Sequence, residues 1–189
     1  SRSTWPWSGS RRPRASLGRP VLEARRAGLL AVLAAALAYA QVLGGGFQYD
    51  DFLVIVEEPG VHSVGALAAG LGGLRPLLKL SYTLNGLADP GPAGFLAVNL
   101  GLHLLNTWLV HRLLLEVGAW TGLDGRRAGF AALAGALLFA LHPAQTEAVA
   151  YISGRSSSLA AAFCLGSTLA YLRGRAGPRR HPRRDGRPR

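Results

Sequence analysis

Four stretches of the 189-residue chain contain no Asp, Glu, Lys or Arg, and these charge-free runs constrain the fold more than any other feature. They cover 27–49, 90–110, 128–146 and 156–172, and each consists chiefly of Leu, Ala, Val, Phe and Gly. About 20 helical residues cross the roughly 30 Å hydrocarbon core of a bilayer. Buried helices of a soluble protein explain four such runs poorly. The sequence therefore predicts an all-α fold, a polytopic membrane helix bundle with four spans.

Helix-breaking and helix-capping residues separate the runs. Three glycines end the first run, a Pro/Gly cluster precedes the second, and three serines begin the fourth. The first run is longer than the apolar part of a signal peptide, and three further runs follow, so we expect it to be retained. We predict a transmembrane domain at 27–173 between basic segments at 1–26 and 174–189. Its spans are placed at about 27–44, 92–112, 128–142 and 156–173, with outer loops at 45–91 and 143–155.

The distribution of basic residues predicts the orientation of the spans. Of 21 basic residues, 18 lie in the two terminal segments, at the end of span four (Arg173) or beside the loop between spans two and three, and three lie in the outer loops. The formal net charge of +11 divides into +14 on one side and −3 on the other. Because cytoplasmic segments carry the excess of Lys and Arg, both termini are predicted to be cytoplasmic. The charge then indicates topology and contact with membrane lipids, and no nucleic-acid partner is expected.

Composition excludes two other classes of protein. The single cysteine excludes a domain held together by disulfides. Because 49% of the residues are hydrophobic, a disordered basic protein is excluded as well.

Two adjacent carboxylates, Asp50 and Asp51, open the first outer loop directly after span one. A carboxylate pair at a membrane face suits a general base or a divalent-cation site. Turn-forming aspartates in a solvated loop have the same pattern. The pair by itself leaves these alternatives open.

The same outer loop ends in a short amphipathic segment that begins near Pro76. Leucines fall on one of its faces, and Arg75 and Lys79 lie one turn apart. The segment is too short and too polar to span a bilayer, so we predict an interfacial helix. Its two cations would either hold a lipid-linked phosphate or extend to lipid headgroups.

Polar residues within span two share one helical face. Asn99, His103 and Asn106 have the spacing i, i+4, i+7, which predicts a face directed into the bundle or a cavity. Hydrogen bonding between helices is the commoner role of such residues.

The second outer loop contains His142, Glu147 and Arg155. These side chains could orient a phosphate and a sugar, or Glu147 and Arg155 could form a structural ion pair. The sequence has no paired-cysteine zinc motif, Gly-rich phosphate loop or nucleophile elbow. No metal ligands are therefore assigned.

Taken in order, these segments resemble one family. The motifs are Phe-x-x-Asp-Asp (47–51), Arg-Pro-Leu (75–77), Asn85, Val-Asn-x-x-x-His (98–103), Leu-Phe-Ala-x-His-Pro-x-x-Thr-Glu-Ala-Val (138–149) and Gly-Arg-Ser (154–156). Over about 27–173 the chain resembles the N-terminal part of the transmembrane and tetratricopeptide-repeat O-mannosyltransferases and their bacterial relatives. Those proteins are polytopic glycosyltransferases of the GT-C type, and the His-Pro-x-x-Thr-Glu stretch is the most specific element of the match.

The resemblance implies transfer of mannose or a similar hexose from a polyprenyl-phosphate donor in the outer leaflet to a Ser/Thr hydroxyl of an acceptor protein. It implies an acid of the first outer loop as the base, hence Asp50 or Asp51, and we favour Asp50. The reaction would invert the anomeric configuration as the lipid phosphate leaves. No cofactor is assigned beyond the lipid-linked donor, although a divalent cation is compatible with the acid pair. The remaining implied site residues are Arg75, Lys79, His142, Glu147 and Arg155 for the donor phosphate and sugar, with Asn99 and His103 in support.

Two features depart from the family pattern. Serines follow Arg155 where animal members usually have Asp after Gly-Arg-Ala, which favours the bacterial branch and a bacterial inner membrane over an endoplasmic reticulum membrane. The sequence contains no Met and stops after four spans without repeats, so we expect a fragment that is inactive alone. The alternative function is a non-catalytic membrane scaffold or assembly protein.

Overall fold

A computed structural model describes residues 19–70 and 75–176 of the chain. In these residues it contains helices and connecting turns and no β-strand, which confirms the all-α prediction. The predictions for the basic segments at 1–26 and 174–189 fall mostly outside the described residues.

Four long helices correspond in position to the four charge-free runs. They are α1 (Arg19–Tyr39), α5 (Pro92–Trp120), α6 (Gly125–Leu141) and α8 (Arg155–Ala176). A 3-10 turn at Ala40–Gly44 extends α1. The segments Arg26–Gly44 and Pro92–Trp120 are long and apolar enough to cross a membrane. The structure therefore contains two candidate membrane spans.

Four short helices lie in the segments that were predicted as outer loops. They are α2 (Pro59–His62), α3 (Val64–Gly70), α4 (Pro76–Ala88) and α7 (Gln145–Ala150). A single π-helical turn at Phe52–Val56 and a 3-10 turn at Ile152–Gly154 complete the described elements. Helix α4 matches the short amphipathic segment that begins at Pro76. Its leucine face is exposed, and its opposite face, which includes Tyr82 and Asn85, is buried.

Local residues explain where the long helices begin and end. Prolines occupy the first turns of α4 and α5, where the missing N–H has no helical partner anyway. Asp124 caps α6, since its Oδ1 accepts hydrogen bonds from the backbone N–H groups of Arg126 (3.1 Å) and Arg127 (3.0 Å). The turn between α5 and α6 contains Gly122 at φ +78°, a conformation that glycine adopts without strain. Helix α5 continues to Trp120, eight residues past the predicted end of span two.

Helix α5 is the centre of the bundle and packs against α1, α6 and α8. Small residues make these contacts: the buried residues of α6 are alanines at every fourth position, from Ala128 to Ala140. Large apolar side chains of the long helices point outward instead, among them Leu37, Phe130, Leu138 and Phe163. Small residues inside and large apolar residues outside are typical of helices that pack within lipid. The pattern therefore agrees with membrane embedding.

The outer loop segments cover one end of this bundle and form a small apolar core there. Its buried residues are Ile55, Val61, Tyr82, Phe95, Leu96 and Ile152. Gly86 lets α4 approach α2, because a Cβ at this position would lie 2.8 Å from the carbonyl oxygen of Val61. The residues that carry the predicted chemistry surround this core.

Candidate functional site

Arg155, at the start of α8, is the largest fully buried side chain of the described chain. Its guanidinium also lies over the rings of Tyr82 (4.7 Å to the ring centre) and Phe95 (5.4 Å). Its N–H groups all point at protein acceptors. Nε donates to Asn99 Oδ1 (2.9 Å), Nη1 to Ser81 O (3.2 Å) and Oγ (3.5 Å), and Nη2 to Asn85 Oδ1 (2.9 Å) and Phe95 O (3.0 Å).

The charge of Arg155 is compensated without an ion pair. Among the residues that the structure describes, no carboxylate lies within ion-pair distance of its guanidinium. Amide and carbonyl oxygens and two aromatic faces take the place of a counter-ion. Arg155 therefore joins α4, α5 and α8. Together with Tyr82, Asn85, Phe95 and Asn99, which it contacts, it forms a buried Arg155 cluster.

Tyr82 belongs to the same buried cluster and is a neutral hydrogen-bond donor. Its hydroxyl donates to the carbonyl oxygen of Ile152 at 3.2 Å. Burial raises the pKa of Tyr82 to about 12, and the nearby positive charge of Arg155 only partly offsets this effect. The phenol therefore stays protonated throughout the neutral range.

The structure gives the two adjacent aspartates different environments. Asp51 is fully buried, and both of its carboxylate oxygens accept hydrogen bonds. Oδ1 accepts from the Ser153 backbone N–H (2.9 Å) and hydroxyl (2.6 Å), and Oδ2 accepts from the Gln48 N–H (3.0 Å). Asp51 thus ties the first outer loop to the second.

Asp50 is exposed, and its carboxylate has no hydrogen-bond or ion-pair partner among the described residues. Its backbone N–H donates to the Tyr151 hydroxyl at 3.2 Å. The backbone is therefore held in place while the carboxylate faces solvent. This arrangement leaves the Asp50 carboxylate accessible from solvent.

Alternate residues of the segment 151–155 contact the turn that carries the two aspartates and the buried residues near it. Tyr151 contacts Asp50, Ser153 contacts Asp51, and Arg155 enters the buried cluster. Sequence reasoning assigned no role to Tyr151 or Ser153. The spacing Tyr-x-Ser-x-Arg, with polar residues at every second position, is the signal that could have identified them.

Arg75 and Lys79 both line a largely apolar cavity of about 210 Å³, together with Glu58. The residues that line this cavity include Leu53, Val61 and Leu78. Arg75 also borders a second cavity of about 490 Å³, which reaches across to the beginning of α8. Arg75 is exposed and adopts a left-handed backbone conformation (φ 60°) immediately before α4. The structure thus brings the two cations together beside apolar space.

His142 and Glu147 lie at the turn from α6 into α7, and both are exposed. His142 Nδ1 accepts a hydrogen bond from the backbone N–H of Ala144 at 3.2 Å. Glu147 forms no ion pair with Arg155, so the structural pair that the sequence allowed is not formed. Glu147 instead borders a cleft of about 310 Å³ that is also lined by Tyr49, which precedes Asp50, and by Tyr151, whose hydroxyl accepts the Asp50 backbone N–H.

The polar face predicted for span two is confirmed. Asn99, His103 and Asn106 are all buried on α5 and directed toward neighbouring helices. Asn99 Nδ2 donates to the Tyr151 carbonyl oxygen (3.0 Å), His103 Nε2 lies 3.0 Å from the Ala140 oxygen, and Asn106 Nδ2 donates to the Ser158 oxygen (2.9 Å). These residues act as bridges between helices, and only Asn99 touches the Arg155 cluster.

A divalent cation was compatible with the acid pair. Within the described ranges, no group of three or more His, Cys, Asp or Glu side chains could hold a metal ion.

The chain is similar to protein O-mannosyl-transferases of animals. It is 38% identical over 150 residues to Protein O-mannosyl-transferase Tmtc1 of Drosophila melanogaster, a match over 71% of this chain and 16% of that protein. With TMTC1 of Mus musculus it shares 38% identity over 181 residues, 87% of this chain and 18% of the relative. With TMTC1 of Homo sapiens it shares 35% over 182 residues, 87% of this chain and 20% of the relative. The chain therefore spans about a fifth of the length of these curated relatives. No family model and no solved structure matches it.

Proposed function

Because the chain belongs to the family of the transmembrane and tetratricopeptide-repeat protein O-mannosyl-transferases, we propose that it supplies the catalytic base of a membrane glycosyltransferase. The enzyme moves mannose or a similar hexose from a polyprenyl-phosphate donor to a Ser or Thr hydroxyl of an acceptor protein. The observation that carries this proposal is that the carboxylates of the two adjacent aspartates have different environments. The Asp51 carboxylate is buried and accepts hydrogen bonds from Ser153, whereas the Asp50 carboxylate is exposed and its backbone is held by a hydrogen bond to Tyr151.

In the proposed reaction, Asp50 takes the proton of the acceptor hydroxyl as its oxygen attacks the anomeric carbon. The bond from that carbon to the phosphate oxygen breaks, and the lipid phosphate leaves with the electron pair from the opposite face. The sugar therefore changes anomeric configuration. A positioned base of this kind contributes about 100- to 10,000-fold to a rate.

For the donor phosphate, the proposal relies on Arg75 and Lys79. Both cations line the cavity of about 210 Å³, which also contains Glu58 and is otherwise chiefly apolar, so one site offers net positive charge for a phosphate and apolar walls for a prenyl chain. Arg155 is placed in the support of the site instead, because its N–H groups already have protein acceptors. His142 and Glu147 remain candidates for shaping the sugar site beside Asp50.

Four spans, with both termini in the cytoplasm, are part of the proposal. Helix α6 has 17 residues and α8 has 22, so they measure about 25 Å and 33 Å along their axes. Their large apolar side chains face outward, as for helices in contact with lipid. Asp50 then lies on the extracytoplasmic side, of a bacterial inner membrane or of an endoplasmic reticulum membrane.

Cysteine labelling from one side of the membrane tests this topology. In a cysteine-free background of the full-length protein that includes Cys164→Ala, single cysteines are placed at the exposed positions Ser63, Thr121, Ala144 and Gly174. A membrane-impermeant maleimide added from outside is expected to label positions 63 and 144 and to spare 121 and 174. Protection of position 144 would contradict the four-span arrangement, because a chain with only the first two spans places it inside.

A transfer assay tests the function itself. The full-length protein, reconstituted in vesicles, is expected to transfer sugar from polyprenyl-phosphate mannose to a Ser/Thr peptide with inverted configuration, which NMR of the product reveals. Arg75→Gln should raise KM for the donor about 10- to 100-fold, because a charge-assisted hydrogen bond is lost. Arg127→Gln, an exposed arginine at the opposite end of the bundle, is the matched control and should leave KM unchanged. Absence of transfer by the unmodified protein would favour the scaffold alternative.

A further inference from the structure

Tyr49, the residue before Asp50, has an unusual combination of backbone conformation and exposure. Its φ is +43°, one of two positive values at non-glycine residues of the described chain. Its side chain is 85% exposed. A side chain with a Cβ is crowded in this left-handed region, which glycine and asparagine occupy more readily. The conformation is therefore unfavourable for tyrosine, and packing of the ring does not repay it.

A tight turn imposes the conformation. The Asp51 backbone N–H donates to the carbonyl oxygen of Gln48 at 2.8 Å, and the Gln48 N–H donates back to Asp51 Oδ2 at 3.0 Å. Tyr49 occupies the second position of this turn. Because Asp51 is also bound by Ser153, the turn is fixed to the second outer loop. The exposed ring is thus presented from a rigid support, directly beside the free carboxylate.

Tyr49 lines the cleft of about 310 Å³. The other lining residues are Gln48, Thr146, Glu147, Ala150 and Tyr151. Residues with amide, hydroxyl and carboxylate groups thus lie beside two tyrosines, in a cleft near the lower end of the size range of ligand sites. This combination matches a single sugar ring, which has hydroxyls at its edge and C–H groups on its faces.

We propose that Tyr49 is the stacking platform for the hexose that the donor delivers to Asp50. The face of an aromatic ring carries a partial negative charge, and the C–H groups of a pyranose face carry a partial positive charge, so the two stack favourably. This inference rests on the proposed function, because the proposed donor is what identifies the ligand of the cleft as a hexose. The left-handed conformation would then be retained because it holds Tyr49 at the cleft, next in sequence to the candidate base.

Anchoring at the lipid headgroups is the competing role for an exposed tyrosine that follows a span. The two roles predict different results for substitution. If Tyr49 is a membrane anchor, its role needs neither the left-handed backbone nor contact with sugar. If Tyr49 is a stacking platform, replacing it at this strained position changes the affinity for the sugar.

The test compares Tyr49→Asn and Tyr49→Phe in the full-length protein, with Tyr171→Asn as an exposed control at the far end of α8. Thermal unfolding, steady-state transfer from polyprenyl-phosphate mannose, and saturation-transfer NMR with methyl α-D-mannopyranoside are measured. Tyr49→Asn should raise Tm by about 1–4 °C, because asparagine tolerates the backbone conformation. It should also raise KM for the donor about 3- to 10-fold and weaken the mannoside signal. Tyr171→Asn should preserve both sugar readouts, and Tyr49→Phe, which keeps the ring, should change them less than Tyr49→Asn.

The outcomes separate this inference from the proposed function. If the unmodified protein transfers sugar and Tyr49→Asn changes neither KM nor mannoside binding, the platform is refuted and the function stands. If no transfer occurs but mannoside binding depends on the Tyr49 ring, the function is refuted and the sugar site stands. Loss of both transfer and Tyr49-dependent binding overturns both.

Discussion

Replacing Asp50 with asparagine is expected to lower the rate of sugar transfer by about 100- to 10,000-fold while the protein remains folded. Asparagine has nearly the same shape, but it cannot accept the proton of the acceptor hydroxyl. The Asp50 carboxylate makes no contact that the fold needs, since only its backbone N–H is bound, by Tyr151. The measurement is single-turnover transfer from polyprenyl-phosphate mannose, accompanied by thermal unfolding of the same preparation.

Asp51→Asn is the matched comparison, because it makes the same chemical change one residue further on. Asp51 accepts three hydrogen bonds in a buried position. An amide nitrogen there would face donor groups, so we expect a loss of stability of about 1–3 kcal/mol. Any loss of transfer should accompany that destabilisation. Full transfer by Asp50→Asn, together with a folded but inactive Asp51→Asn, would assign the base to Asp51.

Arg155→Leu is expected to reduce the free energy of unfolding by about 3–5 kcal/mol. The substitution removes a set of donors from a fully buried cluster and leaves the amide oxygens of Asn85 and Asn99 without partners. Arg155→Lys should recover only part of this loss, because an ammonium group cannot reproduce the geometry of the guanidinium. Equilibrium unfolding in detergent measures the change.

Arg173 offers a control on the same helix. It forms an ion pair with Glu116 at 3.0 Å, but both side chains are partly exposed, at 44% and 27%. We expect Arg173→Leu to cost less than about 1 kcal/mol, because water screens such pairs. Equal effects of the two substitutions would show that the buried cluster does not stabilise the bundle.

Much of the helical architecture could be predicted from the sequence, because helix formation depends on local properties. Charge-free runs, glycines and prolines are visible residue by residue, and they located all four long helices and α4. Helix α5 continues past 112, where span two is predicted to end, since Arg112 and Glu116 extend the helix beyond the apolar run. The face formed by Asn99, His103 and Asn106 was also predictable, because periodicity alone defines it.

The partners of Arg155 could not be predicted in the same way. Its acceptors lie 56 to 74 residues earlier in the chain, on two other helices. Glu147, only eight residues away, was the natural partner by sequence distance, yet it is exposed and unpaired with Arg155. Burial decides which of these contacts forms, and burial depends on how distant helices pack.

The sequence by itself determined the positions of the long helices and of the candidate acids, because both follow from residue type and local order. It could not distinguish Asp50 from Asp51, which are chemically identical neighbours. Only the tertiary structure did so, by placing Ser153, 102 residues further along, against one carboxylate and leaving the other exposed. The physical reason is that a hydrogen bond acts over about 3 Å in space, whatever the separation along the chain.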